Sequence, residues 1–316
     1  MRRILITGGA GNVGGSLARS LVNNPDNFVL IVDNLLTGSI HKLPDKKYKN
    51  WSFIKADVNN WKEILPIMSH EYLDYVFHYA AMVGVKRTLN NPLKVLKDID
   101  GIKNILKISS STGVKRVFFS SSSEVYGEPV EIPQNEITTP LNSKLPYAVT
   151  KNVSESYCRS YQQIHGLNYT IFRFFNTYGP LQSRDFVMTK FILNAVKDKA
   201  IQIYGDGSQT RTFCFIDNNL EATIASMENG IWINEVVNIG NDIEITILEL
   251  AETVISTLNS KSQIKFIKPL KEGDMTRRKP DISKMRKVIT GDLTSLKKGI
   301  ELTQKELNKT LNNNLL

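Results

Sequence analysis

Tyr147 and Lys151 stand four residues apart in the run Tyr147-Ala-Val-Thr-Lys151. On a helix, that spacing sets a phenol and an ammonium on one face. A nearby cation favours the phenolate, so Lys151 is expected to draw the Tyr147 pKa toward neutrality and make the phenol a working base. Alone, the pattern is common on helix surfaces. It gains meaning from a second cluster, Ser120-Ser-Ser-Ser-Glu-Val-Tyr-Gly127, where four hydroxyls and the carboxylate of Glu124 follow the apolar run Val117-Phe118-Phe119. Serine runs at strand ends commonly cap and turn the chain. Near a phenol and an ammonium they also suit the holding of a substrate oxygen.

A third cluster lies near the N-terminus. Thr7-Gly8-Gly9-Ala10-Gly11-Asn12-Val13-Gly14 follows the apolar run Ile4-Leu5-Ile6 and opens a stretch of helical period. Glycines there allow positive φ and let a pyrophosphate approach backbone N–H groups at a helix N-terminus, where the dipole favours anions. The spacing therefore predicts a dinucleotide site built on Gly8, Gly11, Asn12, Val13 and Gly14. The second apolar run ends at Asp33, nineteen residues beyond Gly14. A carboxylate there accepts hydrogen bonds from the adenosine ribose and repels a 2′-phosphate, and no arginine follows it directly, so NAD is expected rather than NADP. The competing role for Asp33 is that of a turn residue before Asn34. Asp57-Val58 and Ala80-Ala81 close two later strands at the same carboxyl edge, and with Asn34 they complete the expected cofactor wall.

The elements that must carry these groups alternate along the chain. Ile4 to Ile6, Phe28 to Val32, Trp51 to Ile54, Tyr75 to Phe77, Val117 to Phe119 and Tyr169 to Phe172 are short and rich in β-branched and aromatic residues. Each reads as a strand buried on both faces, which implies a parallel sheet covered by helices. Gly11 to Asn23, Pro92 to Ser110 and Tyr147 to His165 carry helical periodicity between them. The expected fold is α/β: a doubly wound parallel sheet of the Rossmann type, with a smaller C-terminal substrate-binding domain. Residues 1–175 would bind the dinucleotide, with 213–240 returning to that part, and residues 176–212 and 241–316 would form the smaller one. Helices are expected from Phe186 to Lys197 and from Thr246 to Leu258, and the tail after Asn312 is expected to fray.

Composition narrows the function classes. The formal charge is +9, yet the lysines are scattered in pairs such as Lys46-Lys47, without a basic stripe interleaved with aromatics, so no nucleic-acid partner is expected. A basic surface suits small anionic substrates instead. Cys158 and Cys214 match no metal or redox spacing, the four histidines are dispersed, and no metal site is expected. The chain enters an apolar strand at once, without a signal-peptide core, and no run approaches 18 apolar residues, so the expectation is a soluble cytoplasmic protein with no membrane partner.

With these residues in view, the sequence resembles the extended short-chain dehydrogenase/reductase family, in its branch of nucleotide-sugar epimerases, dehydratases and decarboxylases. The motifs carrying the resemblance run through nearly the whole chain: Thr7 to Gly14, Phe77-His78-Tyr79-Ala80-Ala81, Ser120 to Gly127, Tyr147 with Lys151, Arg173-Phe-Phe-Asn-Thr-Tyr-Gly179, Gly205-Asp-Gly-Ser-Gln-Thr-Arg211 and Arg278-Lys-Pro-Asp-Ile-Ser283. The resemblance implies that Tyr147 takes the proton of the sugar 4-hydroxyl while the C4 hydride passes to NAD. It implies that Ser122, with Ser123 beside it, meets the sugar and that Lys151 also holds the nicotinamide ribose. Asn176 matches the position that meets the nucleotide-sugar diphosphate, and Arg211 and Arg278 match the arginine contacts to that diphosphate, with a surface salt bridge as the ordinary alternative for each. The family commonly forms homodimers by pairing the helix after Pro92 with the one carrying Tyr147, which makes Val95, Ile99, Ile102 and Ile105 either interface or core. Asn12-Val13 departs from the usual aromatic and isoleucine, a change expected to alter helix packing rather than chemistry.

The resemblance leaves the reaction open. Returning the hydride to the opposite face of the 4-ketone inverts C4 and asks only for Ser122, Tyr147, NAD and room for the sugar to turn. Thymidine-sugar dehydratases have Thr-Asp-Glu where this chain has Ser122-Ser123-Glu124, so their acid is missing. GDP-mannose dehydratases and UDP-glucuronate decarboxylases resemble it in their Ser-Glu, and Arg278 matches the decarboxylase arginine that faces the substrate carboxylate. The segments Met82 to Arg87 and Pro146 to Val149, and the chain length, are nearer the epimerases. A 4-epimerase of nucleotide hexoses is the first expectation, and decarboxylation or dehydration with Glu124 as acid/base the second. A non-catalytic dinucleotide sensor is the third, disfavoured by the presence of Ser122, Tyr147 and Lys151.

Overall fold

The computed structural model describes residues 1–269 and 275–312; the tail expected to fray lies beyond them. Six of the apolar runs are strands: β1 (Arg2–Thr7), β2 (Asn27–Asp33), β3 (Trp51–Lys55), β4 (Tyr75–His78), β5 (Arg116–Ser122) and β6 (Asn168–Phe174). A seventh, Glu235–Ile239, joins β6 at the far edge, so the sheet runs seventh strand, β6, β5, β4, β1, β2, β3, with every pair parallel. Helices alternate with them: α1 (Asn12–Leu21), α2 (Trp61–His70), α3 (Val85–Asn90), α4 (Pro92–Leu96), α5 (Asp98–Ser111), α6 (Pro146–His165), α7 (Val187–Val196) and α8 (Ile216–Glu228).

Strand alternation divides the core into two layers. Ile4, Ile6, Val29, Ile31, Phe77, Phe118 and Phe172 point to the side of α1, α7 and α8. Leu5, Leu30, Val32, Val76, Val117, Phe119 and Ile171 point to the side of α2, α5 and α6. Across the first layer, Phe77 stacks on Phe118 at 4.3 Å and Phe118 on Phe172 at 6.0 Å between ring centroids. These contacts lock β4, β5 and β6 in register beneath the serine cluster.

Two expectations change, and one open choice is decided. β3 is an edge strand rather than one buried on both faces: it has only β2 as neighbour, and its last two residues are exposed. The helical stretch from Pro92 is broken at Lys97, so Asp98 opens a new helix instead of sitting inside one. Val95, Ile102 and Ile105 are wholly buried within the chain, so they are core and cannot line a contact between two copies.

The chain after residue 174 makes three two-stranded sheets, pairing Thr177–Tyr178 with Cys214–Phe215, Thr210–Thr212 with Glu244–Thr246, and Ile201–Tyr204 with Ile264–Ile267. Thr177, with its neighbour Asn176 and with Phe213, lines a cavity together with residues from the carboxyl ends of the large sheet's strands. No helix among the described residues is long and apolar enough to cross a membrane.

Candidate active site

The sheet order reverses between β1 and β4, and the loops leaving those two strands part company there. A crevice opens at such a point. Gly8 has φ 70°, and a Cβ on it would lie 2.6 Å from the backbone nitrogen of Ala80; one on Gly14 would lie 2.4 Å from the Gly8 carbonyl oxygen. Only glycine lets the turn after β1 close against α1 and against the end of β4. The result is a cavity of about 570 Å³ with Gly8, Gly11, Asn12, Val13 and Gly14 along one wall and Ala80 and Ala81 along the next. The side-chain oxygen of Asn12 is buried there without a partner. Asn12 and Val13 therefore face the cavity, and the departure at these positions bears on the cofactor wall as well as on packing.

Asp33 fills the turn role considered for it and also lines the cavity. Its two carboxylate oxygens accept from the N–H groups of Ala10 at 3.0 Å and Leu35 at 2.8 Å, which fixes the turn. Each oxygen keeps a lone pair toward the cavity that Asp33 lines. Asn34 donates to Asp57 at 3.3 Å, and both line the same end together with Val58. The glycine cradle, the carboxylate at the end of β2 and the unpartnered Asn12 oxygen fit a dinucleotide.

At the other end, β5 distributes its serines by strand alternation and the turn that follows. Ser121 donates to the buried Glu155 at 2.6 Å. Ser120 lies under Lys151, whose ammonium donates to the Ser120 carbonyl at 2.6 Å. Ser122 caps the 3-10 turn Ser123–Tyr126 by accepting the Glu124 N–H at 3.2 Å. The Ser122 hydroxyl is near enough to the Tyr147 phenol to favour its ionised form. Pro146 starts α6 at a position where its missing N–H costs nothing. Tyr147 and Lys151 follow on its inner face, the ammonium 5.8 Å from the phenol ring centroid. Glu124 reaches Arg278, Oε1 to Nη1 3.7 Å, and both are largely buried. The Arg278 Nε has no partner.

The charges of this end differ from expectation. Burial pushes the Tyr147 phenol above its ordinary pKa, and the carboxylates of Glu124 and Asp98 add to the rise; Ser122 and Arg278 pull it down without prevailing. The protein's own groups therefore do not bring Tyr147 to neutrality. Lys151 is lowered to about 8 by burial against the opposing pull of Asp98, Cys158 and Glu155.

Ser122, Ser123, Glu124, Tyr147, Lys151, Asn176 and Arg278 all line the one cavity with the cofactor-side residues. Asn176, at a φ of 36°, donates its amide to the Thr212 carbonyl at 2.9 Å. Arg211 is not on the cavity wall. It is buried in the strand Thr210–Thr212, and its guanidinium donates to the carbonyls of Thr210 at 2.7 Å and Thr276 at 3.4 Å. Asp98 was not foreseen. It lines the cavity and accepts from the Met82 N–H at 2.8 Å and from the Asn59 amide at 3.4 Å. Its only sequence signal is a carboxylate at a helix start, visible once the break at Lys97 is known. Gln182 and Phe186 join the substrate side and Lys42 the adenosine side, with no motif to announce them. No cluster of three metal-ligating side chains occurs among the described residues.

Known proteins resemble this chain over nearly its whole length. The chain is 34% identical, over 98% of its length and 90% of the relative's, to UDP-glucuronic acid decarboxylase 3 of Arabidopsis thaliana. The UDP-glucose 4-epimerase of Thermotoga maritima, solved with UDP-glucose, superposes with a TM-score of 0.91 at 30% identity, covering 98% of this chain and 99% of that one. A UDP-glucuronic acid 4-epimerase from Bacillus cereus, solved with UDP-4-deoxy-4-fluoro-glucuronic acid and NAD, superposes with a TM-score of 0.88 at 27% identity, covering 97% and 99%. Residues 4–240, well over half of the protein, match the model of the NAD dependent epimerase/dehydratase family, and to that family of NAD-dependent nucleotide-sugar enzymes the chain belongs.

Proposed function

We propose that the protein is an NAD-dependent decarboxylase of a UDP-hexuronate, of which UDP-glucuronate is the first candidate. The observation that carries this reading is the Glu124 and Arg278 pair beside Ser122 and Tyr147. Arg278 lines the cavity beside Ser122, Glu124 and Tyr147, where an arginine can serve the diphosphate, as in the family's usual contact, or a charged group on the sugar. A 6-carboxylate is a ligand for it. The similarity to a UDP-glucuronic acid decarboxylase supports the same choice.

In this proposal, Gly8, Gly11 and Gly14 hold the dinucleotide phosphates, and Asp33, Asn34, Asp57 and Val58 its adenosine. Ala80, Ala81 and Lys151 hold the nicotinamide half. NAD held there would supply a hydride acceptor at C4 and, once reduced, the hydride donor for the return step, and its oxidised form would bring positive charge into the groove. Tyr147 accepts the proton of the 4-hydroxyl, and Ser122 hydrogen-bonds that oxygen as charge moves through it. Arg278 holds the 6-carboxylate. Once C4 is a ketone the sugar is a β-keto acid: the C5–C6 bond breaks, its electron pair moves into the ketone as an enolate, and carbon dioxide leaves. Glu124, having taken a proton from solvent, delivers it to C5, and Tyr147 returns the proton it took to the C4 oxygen as the hydride comes back.

Residues 1–175 with 213–240 form the cofactor half, and 176–212 with 241–316 form the sugar-nucleotide half. A homodimer through α4 and α6 would use Leu93, Leu96 and Val149, which are exposed apolar residues of those helices.

Epimerisation at C4 is the second reading, supported by the likeness to the two 4-epimerases. One experiment separates them. Incubated with UDP-glucuronate and NAD, the protein is expected to give carbon dioxide and a UDP-pentose in the mass spectrum. A product of unchanged mass and altered retention would replace decarboxylation by epimerisation.

A further inference from the structure

The polar side chains that the site leaves unused form one continuous chain beneath it. Glu155, two turns beyond Tyr147 on α6, is fully buried and accepts from Ser121 at 2.6 Å, from Arg173 at 2.9 and 2.8 Å, and from Arg159 at 2.9 Å. Arg173, inside β6, donates its remaining end to the Tyr126 hydroxyl at 2.9 Å. That hydroxyl donates to Asn238 of the seventh strand at 2.7 Å. The Asn238 amide then donates to the carbonyls of Gln134 at 2.9 Å and Asp281 at 3.2 Å.

The last link is the informative one. Gln134 is also bonded through its backbone to Lys279 at 2.7 Å and Asp281 at 2.8 Å, so Asn238 clasps the segment that begins with Arg278. On the other side, Arg277 is held by Glu244 through two contacts at 2.9 and 2.8 Å. The opposite end of the chain reaches the turn Ser123–Tyr126, which carries Glu124, and α6, which carries Tyr147. None of Glu155, Arg173, Tyr126 and Asn238 lines the cavity. For stability alone, buried ions gain little over well-packed apolar residues. A fixed geometry between distant segments is what such a network supplies.

We propose that Glu155, Arg173, Tyr126 and Asn238 are positioning residues: together they hold Arg278 at a fixed reach from Ser122, Glu124 and Tyr147 and so set how well the enzyme recognises an anionic group at C6 of the sugar. This rests on the reading of Arg278 as the carboxylate contact, and it extends that role to four residues that touch no ligand.

The test is a binding ratio. Protein loaded with NADH, which cannot take a hydride from the sugar, is titrated calorimetrically with UDP-glucuronate and with UDP-glucose. Tyr126→Phe removes only the linking hydroxyl. It is expected to weaken UDP-glucuronate about tenfold, the scale of one hydrogen bond in a charged network, with UDP-glucose unchanged. On an Arg278→Met background the same substitution should have no further effect. Equal weakening of both ligands, no weakening of either, or full additivity with Arg278→Met would overturn the proposal, as would a wild type that binds the two ligands alike. If Tyr126→Phe does not fold, Asn238→Ser, which removes the clasp on Gln134 and Asp281, is judged by the same ratio. Carbon dioxide release by the wild type is scored separately. An enzyme that prefers UDP-glucuronate but returns an isomer of it loses the decarboxylase assignment, while the relay is still decided by the ratio.

Discussion

Glu124 and Arg278 approach to 3.7 Å from opposite halves of the cleft, one on the turn after β5 and the other on a C-terminal segment. In the proposed mechanism neither takes part in removing the hydride from C4, and both act once the ketone has formed. Glu124→Gln keeps the size and loses the acid. It is expected to leave single-turnover formation of NADH from UDP-glucuronate within a few-fold of wild type. Steady-state product formation should slow by about 10² to 10⁴, the usual loss when a general acid is removed. Rapid-scan absorbance with a parallel carbon dioxide assay measures both.

Lys151 gives the activity an alkaline limit. Its pKa is lowered to about 8, first by burial, so the ammonium is lost as pH rises through that value rather than near the ordinary 10.5. Proton loss removes the cation that holds the nicotinamide ribose in the proposed mechanism. The profile of kcat/KM is expected to fall above about pH 8. Asp98 is the first of the groups that raise this pKa, so Asp98→Asn should move the falling limb to lower pH. An unmoved limb in that variant would remove Lys151 as its origin.

Gly14 tests the cofactor cradle. A methyl there would sit 2.4 Å from the carbonyl oxygen of Gly8, and the obstructing atom is backbone, which has no rotamer to yield. Gly14→Ala is expected to be purified with little or no NAD and to lose all turnover. Released nucleotide after denaturation, measured against wild type, checks this directly.

Local constraints were the legible ones. A strand buried on both faces needs a continuous apolar run, and β1, β2, β4, β5 and β6 have one; a pyrophosphate turn needs glycines at set places, and Gly8, Gly11 and Gly14 supply them. What depends on tertiary contact was not legible. Nothing local says that α4 stops at Lys97 and that Asp98 thereby turns toward the cavity, or that Arg211 spends its guanidinium on backbone carbonyls. Arg173 is an intermediate case. A charge inside an apolar strand must be paired, so a buried partner is implied, but only the packing of α6 on the sheet identifies it as Glu155.

His78 ties stability to pH. It sits at the end of β4 with its Nδ1 2.8 Å from the Thr7 hydroxyl, and burial, with the charge of Lys151 adding to it, lowers its pKa to about 3. In the unfolded chain it titrates near its ordinary 6.5. Between those values the unfolded state binds the proton and the folded state does not, so stability is lost as pH falls from 6.5 toward 3. The slope is at most one proton, or about 1.4 kcal/mol per pH unit. His78→Asn, whose side chain does not titrate, is expected to be less stable at neutral pH. It should also lose about one proton's worth of the acid dependence of its unfolding free energy. Urea titrations of both proteins at pH 5, 6 and 7 measure the two slopes, and equal slopes would assign the acid sensitivity to other groups.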